Sequence, residues 1–229
     1  MRRDPGTGCF VTGTDTGVGK TVVGCAIVRT LRARGVDVAV RKPIETGVGP
    51  DGPLDARALR EAAASREPLD AICPVALPLP AAPSVAAADA DHDIALERLL
   101  EGVRAAIASH AFTLVEGAGG LLVPVSAGYT MADLARDLGL PLVVVARARL
   151  GTLNHTRLTL EAARARGLHV AGVVVSHVDG PLSDADAKNL AWLRHELGTL
   201  VVGEIPPLER GAQPASNAID VDALLARCR

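Results

Sequence analysis

Short apolar runs bounded by glycine or proline recur along the chain at residues 9–11, 36–40, 112–115, 142–146, 170–175 and 200–202. Their lengths and boundaries predict six buried β-strands. Between them the periodicity changes to helical: after Asp93, which reads as an N-cap, Leu96, Leu99, Leu100, Val103 and Ile107 fall on one face. Thr130 with Asp133 and Ser183 with Asp186 have the spacing of helix starts, while Gly35, Gly139 and Gly167 stand where helices stop before a strand. Strands alternating with helices pair in parallel through right-handed crossovers, so the pattern predicts an α/β fold: a mostly parallel central sheet with helices on both faces. Ligands of such sheets gather at the carboxyl ends of the strands. Residues that follow strands are therefore the ones to read for chemistry.

The 229 residues fit a single domain spanning 1–229, with no boundary or internal repeat. Residues 74–91 are rich in Ala and Pro, lack periodicity and are expected to run over the surface. Apolar residues make up 48% and aromatic residues 2%, so the core is built from Ala, Val, Leu and Ile, as a sheet buried on both faces requires. The 24 Lys and Arg against 26 Asp and Glu give a net charge of −2 without a basic face, which argues against nucleic acid as a partner. Cys9, Cys25, Cys73 and Cys228 form no C-x-x-C pair and read as free thiols. No apolar stretch approaches the ~20 residues of a membrane span, so a cytoplasmic protein without membrane contact is expected.

Gly13-Thr14-Asp15-Thr16-Gly17-Val18-Gly19-Lys20-Thr21 follows the first strand and opens a helix, the context of a phosphate-binding P-loop. Glycines let consecutive N–H groups curl around phosphate oxygens, and the helix directs its unpaired N–H groups toward them. Lys20 then reaches the terminal phosphates, and the Thr21 hydroxyl falls where a magnesium ligand is needed. The loop is a variant: the usual spacing puts Thr14 where glycine is customary, with Gly13 one residue earlier.

Further candidates stand at strand ends. Lys42, before Pro43, is either a solvated strand terminus or a second cation near the phosphates; Arg41 has the weaker claim. Glu116 closes the third long strand ahead of a glycine loop, the place of a Walker B carboxylate that completes a magnesium shell. Asp55 lies near the start of a helix suggested over 54–64, where an acid suits the helix dipole and reads as a cap. Arg29, Arg32 and Arg34 read as a solvated face. No His-Glu-x-x-His, Cys/His cluster or Gly-x-Ser-x-Gly occurs, which removes support for zinc hydrolysis and serine esterase chemistry.

Together, residues 13–21, 42–47, 116–120, 150–155 and 203–208 resemble the successive motifs of the dethiobiotin synthetase family, in order and across nearly the whole chain. The most particular are Val115-Glu116-Gly117-Ala118-Gly119-Gly120, Leu150-Gly151-Thr152-Leu153-Asn154-His155 and Gly203-Glu204-Ile205-Pro206. The resemblance implies a P-loop NTPase-like fold and an ATP- and magnesium-dependent cyclo-ligase of biotin biosynthesis that acts on 7,8-diaminononanoate and carbon dioxide. It assigns Lys20 and Lys42 to phosphates and carbamate, Thr46 to the reacting centre, and Thr21, Asp55 and Glu116 to magnesium. Nucleotide contacts fall to Thr16, Gly17, Val18, Gly19, Lys20, Thr21, Val22 and Glu116, and base contacts to His177, Ile205, Pro206 and Pro207. Gly119, Leu150, Gly151 and Asn154, with Thr46, fall to the substrate, part of it across a homodimer interface. The family's base-holding asparagine is replaced here by His177, which offers single contacts rather than a fixed donor–acceptor fork, so strict ATP preference is not implied.

Three rivals share the loop type. A regulatory ATPase of the chromosome- or septum-positioning kind usually carries a lysine early in the loop, where Thr14-Asp15-Thr16 has none. A non-catalytic nucleotide sensor would not need Lys20, Thr21, Lys42 and Glu116 all intact. An amidotransferring ligase of the cobyrinic acid kind would carry an added glutaminase domain, for which this chain is too short.

Overall fold

A computed structural model describes residues 7–209 and 212–228. All six expected strands are present: β1 (Thr7–Gly13), β2 (Val38–Arg41), β5 (Phe112–Gly120), β8 (Leu142–Arg147), β9 (Val170–Ser176) and β10 (Val201–Ile205). They form one sheet in the order β10-β9-β8-β1-β5-β2, with every neighbouring pair parallel. The large helices are α1 (Lys20–Ala33), α2 (Leu54–Ala62), α5 (Leu96–Ser109), α6 (Met131–Leu138), α7 (Thr152–Ala165) and α8 (Asp184–Leu197), with a shorter α9 (Val221–Arg227).

Alternation along β1 places its side chains in two cores. Cys9 and Val11 pack with α1, α2 and α9, whereas Phe10 packs with α5, α6 and α7. Helices cover both faces as the composition requires, and Phe10 is one of the chain's two phenylalanines. The two serine/threonine helix starts are complete capping boxes: Thr130 accepts from Asp133 N–H and Ser183 from Asp186 N–H, and each aspartate accepts back from the cap. Gly35, Gly139 and Gly167 all take positive φ where helices end.

Three expectations are corrected. Asp93 is not the cap of α5, whose N-cap is Ala95 without a side-chain bond. Ile94 is buried in the second core, so the chain stays outside the helix until that side chain is seated. Residues 74–91 do more than cross the surface: they contain β4 (Val75–Leu77) and α4 (Pro83–Asp89), and Val75, Leu77, Ala86 and Ala87 are buried. A three-residue strand and a helix packed through alanines leave no periodicity strong enough to read. Finally, β5 does not end at Glu116 but continues to Gly120, pairing Gly13 with Gly120 across a register shift. The glycines permit the close approach, since a Cβ on Gly117 would lie 2.8 Å from the Phe10 ring.

The remaining strands, β3 (Ile44–Thr46) with β4 and β6 (Pro124–Ser126) with β7 (Tyr129–Thr130), form two small two-stranded sheets beside the main one. They are too short to produce an alternation in sequence. β3 nonetheless carries Glu45 and Thr46 to the carboxyl end of the central sheet.

Candidate active site

The loop from β1 to α1 is built around an uncapped helix start. Gly19, at φ 93°, is the N-cap of α1, makes no side-chain cap bond, and is followed by a first turn without acidic residues. The first-turn N–H groups are thus left for a ligand's anionic oxygens. A side chain at 19 is barred twice, by the positive φ and by Ser176, whose Oγ would lie 2.6 Å from an added Cβ. Val18 is fully buried, so only its backbone faces the loop.

Thr16, Gly17, Gly19, Lys20, Thr21, Lys42, Glu45, Thr46, Asp55, Glu116 and Gly119 line a cavity of about 340 Å³ at the carboxyl ends of β1, β2 and β5. Lys42 is no solvated terminus: it is 3% exposed, and its Nζ lies 2.6 Å from Glu116 Oε1 and 3.1 Å from Asp55 Oδ2. Thr21 Oγ1 donates to the same Glu116 oxygen at 2.9 Å. Lys20 Nζ donates to the Asp15 carbonyl at 3.2 Å. Arg41 is turned away, paired with Glu67 at 2.7 Å.

The charges are strongly coupled. Burial, and then repulsion from Lys42, lower the Lys20 pKa from 10.5 to about 8. Burial also disfavours the Lys42 cation, but Glu116 and Asp55 more than offset this and hold it above its ordinary value. Burial works against the Asp55 carboxylate as well, yet Lys42 beside it keeps its pKa below the usual range.

The donors suit a hard divalent cation. Glu116 is fully buried, and its Oε2 has no hydrogen-bond partner among the described residues. Thr21 and Asp55 supply further oxygens around it, so Thr21, Asp55 and Glu116 fit as the protein's share of a magnesium shell. Among the described residues no three His, Cys, Asp or Glu side chains gather as a self-sufficient metal cage. An ion bound through one or two carboxylates together with phosphates and water would not need such a cage.

A second cavity, of about 330 Å³, adjoins the first at Val22 and Val178 and is lined by His177, Ile205, Pro206 and Pro207. His177 is held in place: its backbone N–H donates to the Ile205 carbonyl at 3.0 Å and its ring Nε2 lies 2.6 Å from Glu204 Oε1. Arg194 clamps the same Glu204 at 2.7 Å. Leu150, Gly151 and Asn154 do not line either cavity; Gly151 caps α7, and Leu150 is 77% exposed.

Sequence reasoning assigned no side-chain role to Glu45, Ser176 or Glu204. Glu45 and Glu204 lay inside the 42–47 and 203–206 motifs without a role of their own, whereas Ser176 gave no signal.

A parallel sheet with a glycine-capped phosphate loop, two converging lysines and a magnesium-type donor set defines a P-loop nucleotide-dependent enzyme. Solved structures agree on the fold: a ParA family ATPase from Chlorobium tepidum (TM-score 0.54, 16% identity, 97% of this chain and 90% of that one) and chloroplast FtsY from Physcomitrella patens (TM-score 0.55, 17% identity, 96% and 66%). A family model described as an AAA domain matches residues 7–215. The chain is 47% identical over 215 residues to the ATP-dependent dethiobiotin synthetase of Anaeromyxobacter dehalogenans strain 2CP-C, covering 93% of this chain and 96% of that protein. It is 36% identical over 236 residues to that of Thermodesulfovibrio yellowstonii, covering 96% and 98%. The chain belongs to the ATP-dependent dethiobiotin synthetase family of enzymes.

Proposed function

We propose that this chain closes the ureido ring of dethiobiotin from 7,8-diaminononanoate, carbon dioxide and ATP, as a cytoplasmic enzyme of biotin biosynthesis. The observation that carries this reading is the convergence of Lys20, Lys42, Thr21, Asp55, Glu116 and Thr46 in one cavity beside a second, base-sized one.

One amine of the substrate captures carbon dioxide as a carbamate. Its oxygen takes the γ-phosphoryl group with departure of ADP, and the second amine then attacks the carbonyl carbon and expels phosphate. Such transfers depend on positioning and charge neutralisation and need no protein nucleophile. Lys20 would hold the transferring phosphoryl oxygens, and Lys42, at the junction of β2 and β3, would hold the carbamate beside them. The Thr46 hydroxyl, at the end of β3, orients the reacting carbon's substituents. Magnesium bound by Thr21, Asp55 and Glu116 would neutralise β- and γ-phosphate charge. With those carboxylates engaged by the ion, Lys42 would be free to turn to anionic substrate oxygens.

Leu122 and Leu158, 47% and 55% exposed, line a further cavity beside the phosphate loop, and exposed Leu150 lies at the start of α7. We read this apolar surface, with Gly151 and Asn154, as the face that a second copy covers to complete the substrate site. Purified protein given the diamine, bicarbonate, magnesium and ATP is expected to yield dethiobiotin and ADP in equal amounts by mass spectrometry. ADP without dethiobiotin would instead favour a regulatory ATPase.

The pinned His177 brings no donor–acceptor fork to the base cavity. ATP, GTP and CTP are therefore expected to compete within one order of magnitude. His177→Asn is expected to shift the ATP/GTP ratio of kcat/KM toward ATP by about threefold to tenfold, the worth of one hydrogen bond. An unchanged ratio would remove His177 from base selection.

A further inference from the structure

We propose that Glu45 is a positioning residue of this site: from β3 it clamps the first turn of α2, and through that turn it sets the Asp55 carboxylate against Lys42 and Thr21. The role rests on the magnesium-dependent reading above.

Helix α2 starts without a local cap, because Pro53 at the N-cap position makes no side-chain bond. Its first N–H groups are satisfied from another element instead. Glu45 Oε1 accepts from Asp55 N–H and Oε2 from Ala56 N–H, each at 3.0 Å. Both carboxylate oxygens are thereby engaged, and Glu45 is itself only 7% exposed. The helix turn it holds is the one that carries Asp55.

Asp55 needs such a hold. Its side chain is 43% exposed, so packing alone does not confine it, yet its Oδ2 must stay 3.1 Å from Lys42. Glu45 belongs to the same short strand as Thr46 and follows Lys42 by three positions. One bidentate contact therefore ties the second lysine's segment to the helix bearing a magnesium ligand. Nothing in this geometry requires Glu45 to touch the reacting atoms, since its oxygens already face backbone N–H groups. Such outer contacts govern metal affinity by fixing where the ligand atoms stand.

The test is a double-mutant cycle on Glu45→Ala and Asp55→Ala, read in two ways: the magnesium concentration giving half-maximal dethiobiotin formation, and calorimetric binding of Mg-ADP compared with ADP in chelator. Glu45→Ala is expected to raise the half-saturating magnesium about tenfold, as outer-shell substitutions do. It should weaken Mg-ADP binding similarly while leaving magnesium-free ADP binding nearly unchanged. In the Asp55→Ala background it should add little to either.

Glu45→Gln, which keeps one acceptor, should fall between wild type and Glu45→Ala, and it serves if the alanine variant does not fold. Additive effects, or a raised KM for the diamine at unchanged magnesium dependence, would overturn the proposal in favour of an independent or substrate-touching role. Equal loss of ADP affinity with and without magnesium would overturn it in favour of a purely structural role. If wild type makes no dethiobiotin, the reaction assignment fails, but the calorimetric cycle still decides whether Glu45 acts through Asp55.

Discussion

Lys20→Met is expected to abolish turnover and, at the same time, to make the ligand-free protein harder to unfold. Lys20 is 7% exposed, and its ammonium has one backbone acceptor, the Asp15 carbonyl, together with a like charge nearby on Lys42. The fold holds it as a cation against burial, ready for phosphate oxygens that only the nucleotide supplies. Removing a preorganised cation from a phosphoryl-transfer site costs about a hundredfold to a thousandfold in rate or more. Methionine keeps the alkyl stem while deleting the charge, so the resting protein should gain on the order of 2 kcal/mol.

The sign of the pH dependence follows from the lowered pKa. The folded state sheds the Lys20 proton near pH 8, the unfolded state only near 10.5. Between those values the unfolded chain binds more protons, so this group's contribution to stability rises with pH. Its penalty is complete below pH 8. The advantage of Lys20→Met over wild type should therefore be largest near pH 7 and close by pH 10.5. Thermal unfolding of both proteins in chelator, without nucleotide, checks this. An advantage that does not shrink with pH would mean that Lys20 ionisation is not its source.

Glu116→Ala is the opposite case, losing stability as well as activity. Lys42 and Glu116 are 3% and 0% exposed and lie 2.6 Å apart, so water cannot readily replace the missing carboxylate. A buried lysine left with only the half-exposed Asp55 should cost about 3 kcal/mol or more. The Thr21 hydroxyl loses its Glu116 acceptor as well, and the magnesium binding proposed above would lose a buried carboxylate. Adding Lys42→Met should restore much of the stability and none of the dethiobiotin formation. Urea denaturation of the single and double variants measures this. Equal midpoints for wild type and Glu116→Ala would show that the pair contributes nothing to the fold.

The chain's own pattern determined what depends on neighbours in sequence. Six apolar runs became six parallel strands, the capping boxes at Thr130 and Ser183 formed between residues three apart, and the phosphate loop formed from the contiguous segment 13–21. These features rest on local hydrogen bonds and periodic burial, which a sequence displays directly. The motifs at 42–47 and 116–120 likewise marked the lysine and the carboxylate of the site.

Only the tertiary structure decided how those residues pair. Lys42 and Glu116 stand 74 positions apart and meet because β2 and β5 are neighbours in the sheet. Asp55 left the role of helix cap because Glu45, from another strand, occupies that role. His177 is held by Glu204, 27 positions on, and Arg194 clamps that glutamate in turn. Each of these contacts joins side chains from different elements, and no periodicity records such a meeting, because the sheet order that creates it is settled by packing across the whole domain.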